Sequence, residues 1–164
     1  VPTHITEYVN VSRKCAELGC KNPERFALLP VNFDSASSQT ELLQASEAAT
    51  IRKLFVAEGL PIDDIVDRSH RPPYVKNKSN EWVAPVVFIS ASLYSQNPAL
   101  VSMALSVLAN YATDFFKGAS KIPEVKLDVV VEKKRNESYK RLSYSGPVAG
   151  LKDLTDTIRD AVHD

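Results

Sequence analysis

The sequence predicts an α/β fold, a small mixed sheet flanked by helices in the order α-β-α-β-α-β-β-α. Three observations lead there. Phe26–Phe33 and Trp82–Ser90 are short apolar runs, as expected of strands covered on both faces. Between and after them, apolar residues recur at steps of three and four, the period of a helix with one buried side. Val125–Glu132 alternates apolar and charged residues, with Val125, Leu127, Val129 and Val131 inward and Lys126, Asp128 and Glu132 outward. Strands separated by helices imply parallel neighbours, and the final hairpin adds an antiparallel strand.

The chain has 164 residues, the length of a single domain spanning 1–164. Twenty Lys and Arg balance 20 Asp and Glu, so the net charge is zero, which argues against nucleic acid or an anionic membrane as partner. Hydrophobic residues make up 44% and charged ones 24%, the make-up of a globular chain rather than a disordered one. No charged residue occurs from Val83 to Thr113. The window Pro98–Phe116 nevertheless contains Ser102, Ser106, Asn110, Thr113 and Asp114, too polar for hydrocarbon, so this stretch is expected to be core and not a membrane span. Cys15 and Cys20 stand across an expected helix end, and five residues of helix rotate about 500°, which separates the two side chains. Free thiols in a reducing, cytoplasmic setting are the expectation. No basic segment leads into an apolar run, and the three Asn-x-Ser triplets at Asn10, Asn77 and Asn136 are taken as idle.

The elements follow in order. A first helix (1–20) starts at Thr3, runs to about Leu18 and stops at Gly19. A strand covers Phe26–Phe33, with Pro30 at an edge or a break. Ser38 and Glu41 form a capping-box pattern ahead of a second helix from about Gln39 to Glu58, with Leu43, Ala48, Ile51, Leu54 and Phe55 as core. Residues 62–81 form a long irregular loop, a kind of connection that is uncommon without a task. After the Trp82–Ser90 strand, Asn97-Pro98 starts a third helix that runs to Lys117, with Val101, Ala104, Leu105, Leu108, Ala112 and Phe115 as its stripe. The hairpin turns at Arg135–Ser138, Tyr139–Ser145 returns, and a last helix carries Val148, Leu151, Leu154, Ile158 and Val162.

From the first strand onward, the order β-α-β-α-β-β-α resembles the thioredoxin fold, with Ile122-Pro123 ahead of the third strand and a hairpin before the last helix. A thioredoxin-like topology is thus the alternative. Its redox cysteines would fall at Asp34-Ser-Ala-Ser-Ser38, where this chain has none, so the resemblance implies no redox activity.

Two strand-to-helix loops are alike, Phe33-Asp-Ser-Ala-Ser-Ser-Gln39 and Phe88-Ile-Ser-Ala-Ser-Leu-Tyr-Ser-Gln96. In a parallel sheet both would emerge at the carboxyl edge, where α/β folds hold ligands. Asp34, Ser35, Ser37, Ser38, Ser90 and Ser92 are therefore candidate ligand-binding residues, with Arg68, His70, Arg71 and Lys76 of the long loop folding over a small anion. No Gly-rich phosphate cradle is present. A Ser90 or Ser92, His70, Asp34 triad has no nucleophile elbow behind it, so no catalytic set is assigned. Asp63, Asp64, Asp67 and His70 lack a second His or Cys, so neither metal nor cofactor is expected. Basic residues gather at 68–78 and at Lys133, Lys134, Arg135, Lys140 and Arg141, with Tyr74, Trp82 and Tyr139 near them, but alternating Lys on a hairpin usually protects a strand edge. On the third helix, Ser102, Ser106, Ala109 and Thr113 form a small-residue face that lets another element approach. The expected function is a non-catalytic interaction domain that binds a protein partner or itself, through this helix or the hairpin edge. The alternative is a small-ligand or nucleotide-handling enzyme built on the two Ser-rich loops.

Overall fold

A computed structural model describes residues 3–75, 82–117 and 124–163. Its first element corrects the sequence reading. Thr3–Glu7 is a strand, β1, and not the start of a helix. Three β-branched residues in five (Thr3, Ile5, Thr6) favour extended backbone. Helix α1 (Val11–Leu18) begins later, where the Asn10 side chain accepts from the Arg13 N–H at 3.0 Å. Gly19 ends it as expected, at φ 70°. That left-handed turn lets the Cys20 N–H reach the Cys15 carbonyl.

Strand β2 (Phe26–Leu29) stops before Pro30, earlier than Phe33, which is nevertheless fully buried. The second helix is also shorter than expected. Gln39–Glu41 is a 3-10 turn, Gln44–Ala45 a short strand (β3), and helix α2 spans only Ala48–Ala57. Ser38 bonds Thr40 instead of capping, while Glu41 does reach back, to the Ser37 N–H. Leu43, read as core, is 39% exposed. The 62–81 segment contains β4 (Ile62–Asp63), a 3-10 turn at Arg68–His70, and β5 (Tyr74–Val75), which pairs with β3 as a separate two-stranded ribbon.

The expected strand 82–90 is two collinear pieces, β6 (Trp82–Val83) and β7 (Val86–Ile89), both parallel to β8 (Glu124–Lys134). Pro85 between them has no N–H to give the ladder. Ser90–Gln96, read as a loop, is mostly helix: Ala91–Gln96 forms α3, capped by Ser90 Oγ accepting from the Leu93 N–H. Helix α4 (Ala99–Phe115) follows Asn97-Pro98, but Asn97 closes α3 and no side chain caps α4. Strand β9 (Ser138–Pro147) completes the hairpin, Val148–Asp153 winds as a 3-10 segment, and α5 (Leu154–His163) ends the described chain.

Six strands lie side by side in the order β1-β9-β8-β7-β2-β4, with β6 also on β8. The α/β class with helices flanking one mixed sheet therefore stands, while the element order differs at its beginning, where β1 precedes α1, and in the middle, where β3, β4, β5 and α3 are added. The parallel-neighbour rule holds for β7 and β8, and for β2 and β4 across α2. It fails for β2 and β7, which are antiparallel (Phe26↔Ile89, Leu29↔Val86). The crossover from β2 goes to the two-residue β4, and the chain then returns beside β2 in the opposite sense. A thioredoxin-like βαβ unit would run its first two strands parallel; Ile122-Pro123 lies outside the described residues.

The sheet is buried on both sides. One face carries Phe26, Val87, Ile89, Val129, Val131 and Leu142 against Ile51 and Phe55 of α2, Leu105 and Leu108 of α4 and Ile158 of α5. The other carries Leu29, Phe88, Val130 and Tyr139 against Val11 and Cys15 of α1, with Phe33 and Leu42. Each such side chain contributes about 1.5–3 kcal/mol by leaving water. Phe115, expected in the stripe of α4, is instead 49% exposed. Among the described residues, no helix is long and apolar enough to cross a membrane.

Candidate functional site

Because β2 and β7 are antiparallel, the two Ser-rich segments leave the sheet at opposite ends, and the structure does not bring them together. Asp34 and Ser35 are exposed, and Ser35 bonds the Asn32 carbonyl. Asp34 lies near Tyr8, whose phenol burial pushes up, with Asp34 adding to the shift and Arg141 opposing it. At the other end, Ser90 is 1% exposed. Its hydroxyl donates to the Glu24 carbonyl at 2.5 Å and caps α3, so it is structurally committed. Ser92 accepts from Gln96 and lines a hollow of about 50 Å³ with Ser90, Glu132 and Asn136.

The long-loop residues also separate. Arg68 is exposed in its 3-10 turn, and His70 Nδ1 pairs with the Ser69 hydroxyl. Lys76 lies outside the described residues. Of the three that are described, Arg71 borders a cleft, of about 80 Å³, between α2, β4 and the β3–β5 ribbon. The Arg52 guanidinium grips Asp64 there through Nε and Nη2, at 2.9 and 2.8 Å. Arg71 Nη2 approaches the same carboxylate at 3.8 Å. Leu28, Pro30, Ala48, Ile62, Ile65 and Pro72 make the walls apolar, and Tyr74 stands at the mouth.

The acidic run is divided among cations. Asp63 holds Arg25 and Asp67 faces Lys21. Among the described residues no three His, Cys, Asp or Glu side chains converge as metal ligands. The basic hairpin is divided too: Lys140 pairs with Glu7 of β1, Arg135 lies 4.0 Å from Glu24, and Tyr139 is 2% exposed and unavailable for stacking. Arg141 alternates to the α1 side of the sheet, where its Nε is buried without a hydrogen-bond partner. The hairpin is not an edge, because β9 pairs with β1 over residues 140–144; the outer strand on that side is β1.

On α4, Ser102 and Thr113 are exposed, Ser106 is half-buried, and Ala109 is buried at 4% and so belongs to the core. Ser102 and Ser106 line an open groove of about 440 Å³ between α2 and α4, with Leu54, Met103, Val107 and Tyr111. Met103 is 43% exposed. Tyr111 donates to Glu47 across the same pair of helices.

Sequence reasoning missed Glu132. Assigned outward, it is 4% exposed and accepts from the Ala91 N–H, the Asn136 N–H and the Tyr139 hydroxyl. The run Val129-Val130-Val131 carried the signal. Three consecutive apolar residues mean a strand covered on both faces, and Glu132 shares its face with Val130. The Arg52–Asp64 pair joins a helix to the residue just after an edge strand and leaves no periodic trace.

The fold is mixed α/β, and its described surface includes a groove between helices and a charged cleft at the sheet's edge. No protein-family model, no curated protein and no solved structure matches this chain.

Proposed function

We propose that the chain is a non-catalytic interaction module that pairs with a second copy of itself through the exposed face of α4. The observation that carries this reading is the groove between α2 and α4, where the half-exposed Met103 presents apolar surface beside the small side chains of Ser102 and Ser106, with Leu54 and Val107 lining the same groove. Small residues let helices approach closely, and neighbouring apolar side chains fill the gaps so formed. A second copy is favoured as the occupant because the chain has zero net charge, so no long-range repulsion opposes self-association. A standard interface covers roughly 800 Å² per partner, about a tenth of the 8932 Å² surface of this chain.

The enzyme alternative on two Ser-rich loops has lost its geometric basis, since those loops lie at opposite ends of the sheet. Size-exclusion chromatography with light scattering tests the self-association. A dimer at tens of micromolar that becomes monomeric in Ser106→Arg is the expected result. A strict monomer at that concentration overturns the reading.

A further inference from the structure

We propose that the cleft between α2 and the β3–β5 ribbon binds a monoanionic carboxylate carried on a flat apolar body, such as an aryl carboxylate. The charge arrangement argues for the anion. Arg52 and Arg71 share one carboxylate, Asp64, while the adjacent Asp63 is neutralised by Arg25, leaving one cation in excess. Arg52 is committed in its two-pronged grip, whereas Arg71, at 3.8 Å, is beyond hydrogen-bond distance, so its donors are open to a second acceptor. One excess cation matches a carboxylate; a phosphate dianion would remain unbalanced.

The walls argue for the body. Pro30, Ile62, Ile65 and Pro72 present apolar surface, and the Tyr74 ring, in a residue 52% exposed, stands at the lip where a flat group can stack. The site is independent of the α4 face, because α2 turns Arg52 toward this cleft and Leu54 and Glu58 toward the other groove.

The test is calorimetric titration and thermal shift of the full chain with benzoate and indole-3-carboxylate, against benzamide and inorganic phosphate. A peptide ending in Phe, as free acid and as amide, is the second arm. The carboxylates are expected to saturate and to raise the melting temperature, with benzamide and phosphate at least tenfold weaker. Arg71→Gln should lose about tenfold or more in affinity while leaving the oligomeric state unchanged. Tyr74→Ala should remove the preference for benzoate over acetate, which keeps the proposal testable should Arg71→Gln disturb the fold. Binding of the small acids assigns the site to free metabolite-like carboxylates; binding of the peptide acid alone assigns it to a protein C-terminus. Absence of saturable binding of every carboxylate at millimolar concentration overturns the proposal, as does equal affinity for phosphate or an Arg71→Gln protein that binds as before.

Discussion

The Tyr139 hydroxyl donates to the Glu132 carboxylate at 2.9 Å, and through it the hairpin is tied to the start of α3. The same carboxylate holds the Asn136 N–H in the turn, where Asn136 adopts φ 61°. One buried acid thus satisfies donors from three parts of the chain. Glu132→Ala leaves those donors without a partner and is expected to cost about 2–4 kcal/mol in denaturant unfolding, whereas Tyr139→Phe, which removes the bond to Glu132 and the longer one from the Ser12 N–H, should cost about 1–1.5 kcal/mol. Equal costs for the two variants would refute this account of the network.

Tyr144 and Gly150 make a second dependence. A Cβ at position 150 would stand 2.1 Å from the Tyr144 hydroxyl oxygen, which donates to the Pro147 carbonyl. Tyr144 is 4% exposed and has little room to retreat. Gly150→Ala should therefore destabilise by about 1–3 kcal/mol. Adding Tyr144→Phe removes the closest atom, so the double variant should lose less than the sum of the singles. Strict additivity in chemical denaturation would show that the clash is relieved elsewhere.

Asp63 sets an acid limit. Burial alone would raise its pKa, but the Arg25 side chain and the N–H groups of Glu24 and Arg25 outweigh that and hold it below the ordinary 3.8. A carboxyl depressed in the folded state stabilises above its unfolded pKa, and that contribution disappears as pH falls through the folded value. Asp63→Asn should lower stability by about 1–2 kcal/mol at neutral pH. The gap between variant and parent should then close on acidification below the ordinary value. A gap independent of pH would mean that the carboxylate charge is not what matters.

The thiols should differ in reactivity. Burial, with a smaller contribution from Cys20, pushes Cys15 up to about 12, so at pH 8 almost none of it is thiolate. Burial also raises Cys20, opposed by the Gln39 side chain, but Cys20 is only half-buried. Iodoacetamide followed by peptide mass spectrometry should label Cys20 in the native protein and Cys15 only after unfolding. Native labelling of Cys15 at a comparable rate would contradict its burial.

The core was largely legible because period and punctuation agreed there. The Val101–Ala112 stripe and the alternation of β8 each placed an element within a few residues, while Gly19 placed the end of α1 but not its start, and the spacing of the last helix held only from Leu154 onward. Short elements escaped, since Ile62–Asp63 and Gln44–Ala45 are too brief to show a period and exist through pairing with distant strands. Missing β4 misdirected the topology, because α2 was then taken to lead to β7, and the two Ser-rich segments were placed at one edge. At the candidate cleft only Arg71 was anticipated. Arg52 and Asp64 meet across twelve residues of sequence, a relation that composition and spacing do not encode.

The position of β1 ties residues 3–7 to residues 140–144. Thr3 stands opposite Tyr144, so β1 has no partner in the sheet until that distant segment has been synthesised. The β8–β9 hairpin, by contrast, closes over a short turn and can form as soon as it leaves the ribosome. Residues 3–7 are therefore expected to dock onto a ribbon already in place, and nascent chains that stop short of residue 138 would carry this segment as an orphan open to misplaced pairing.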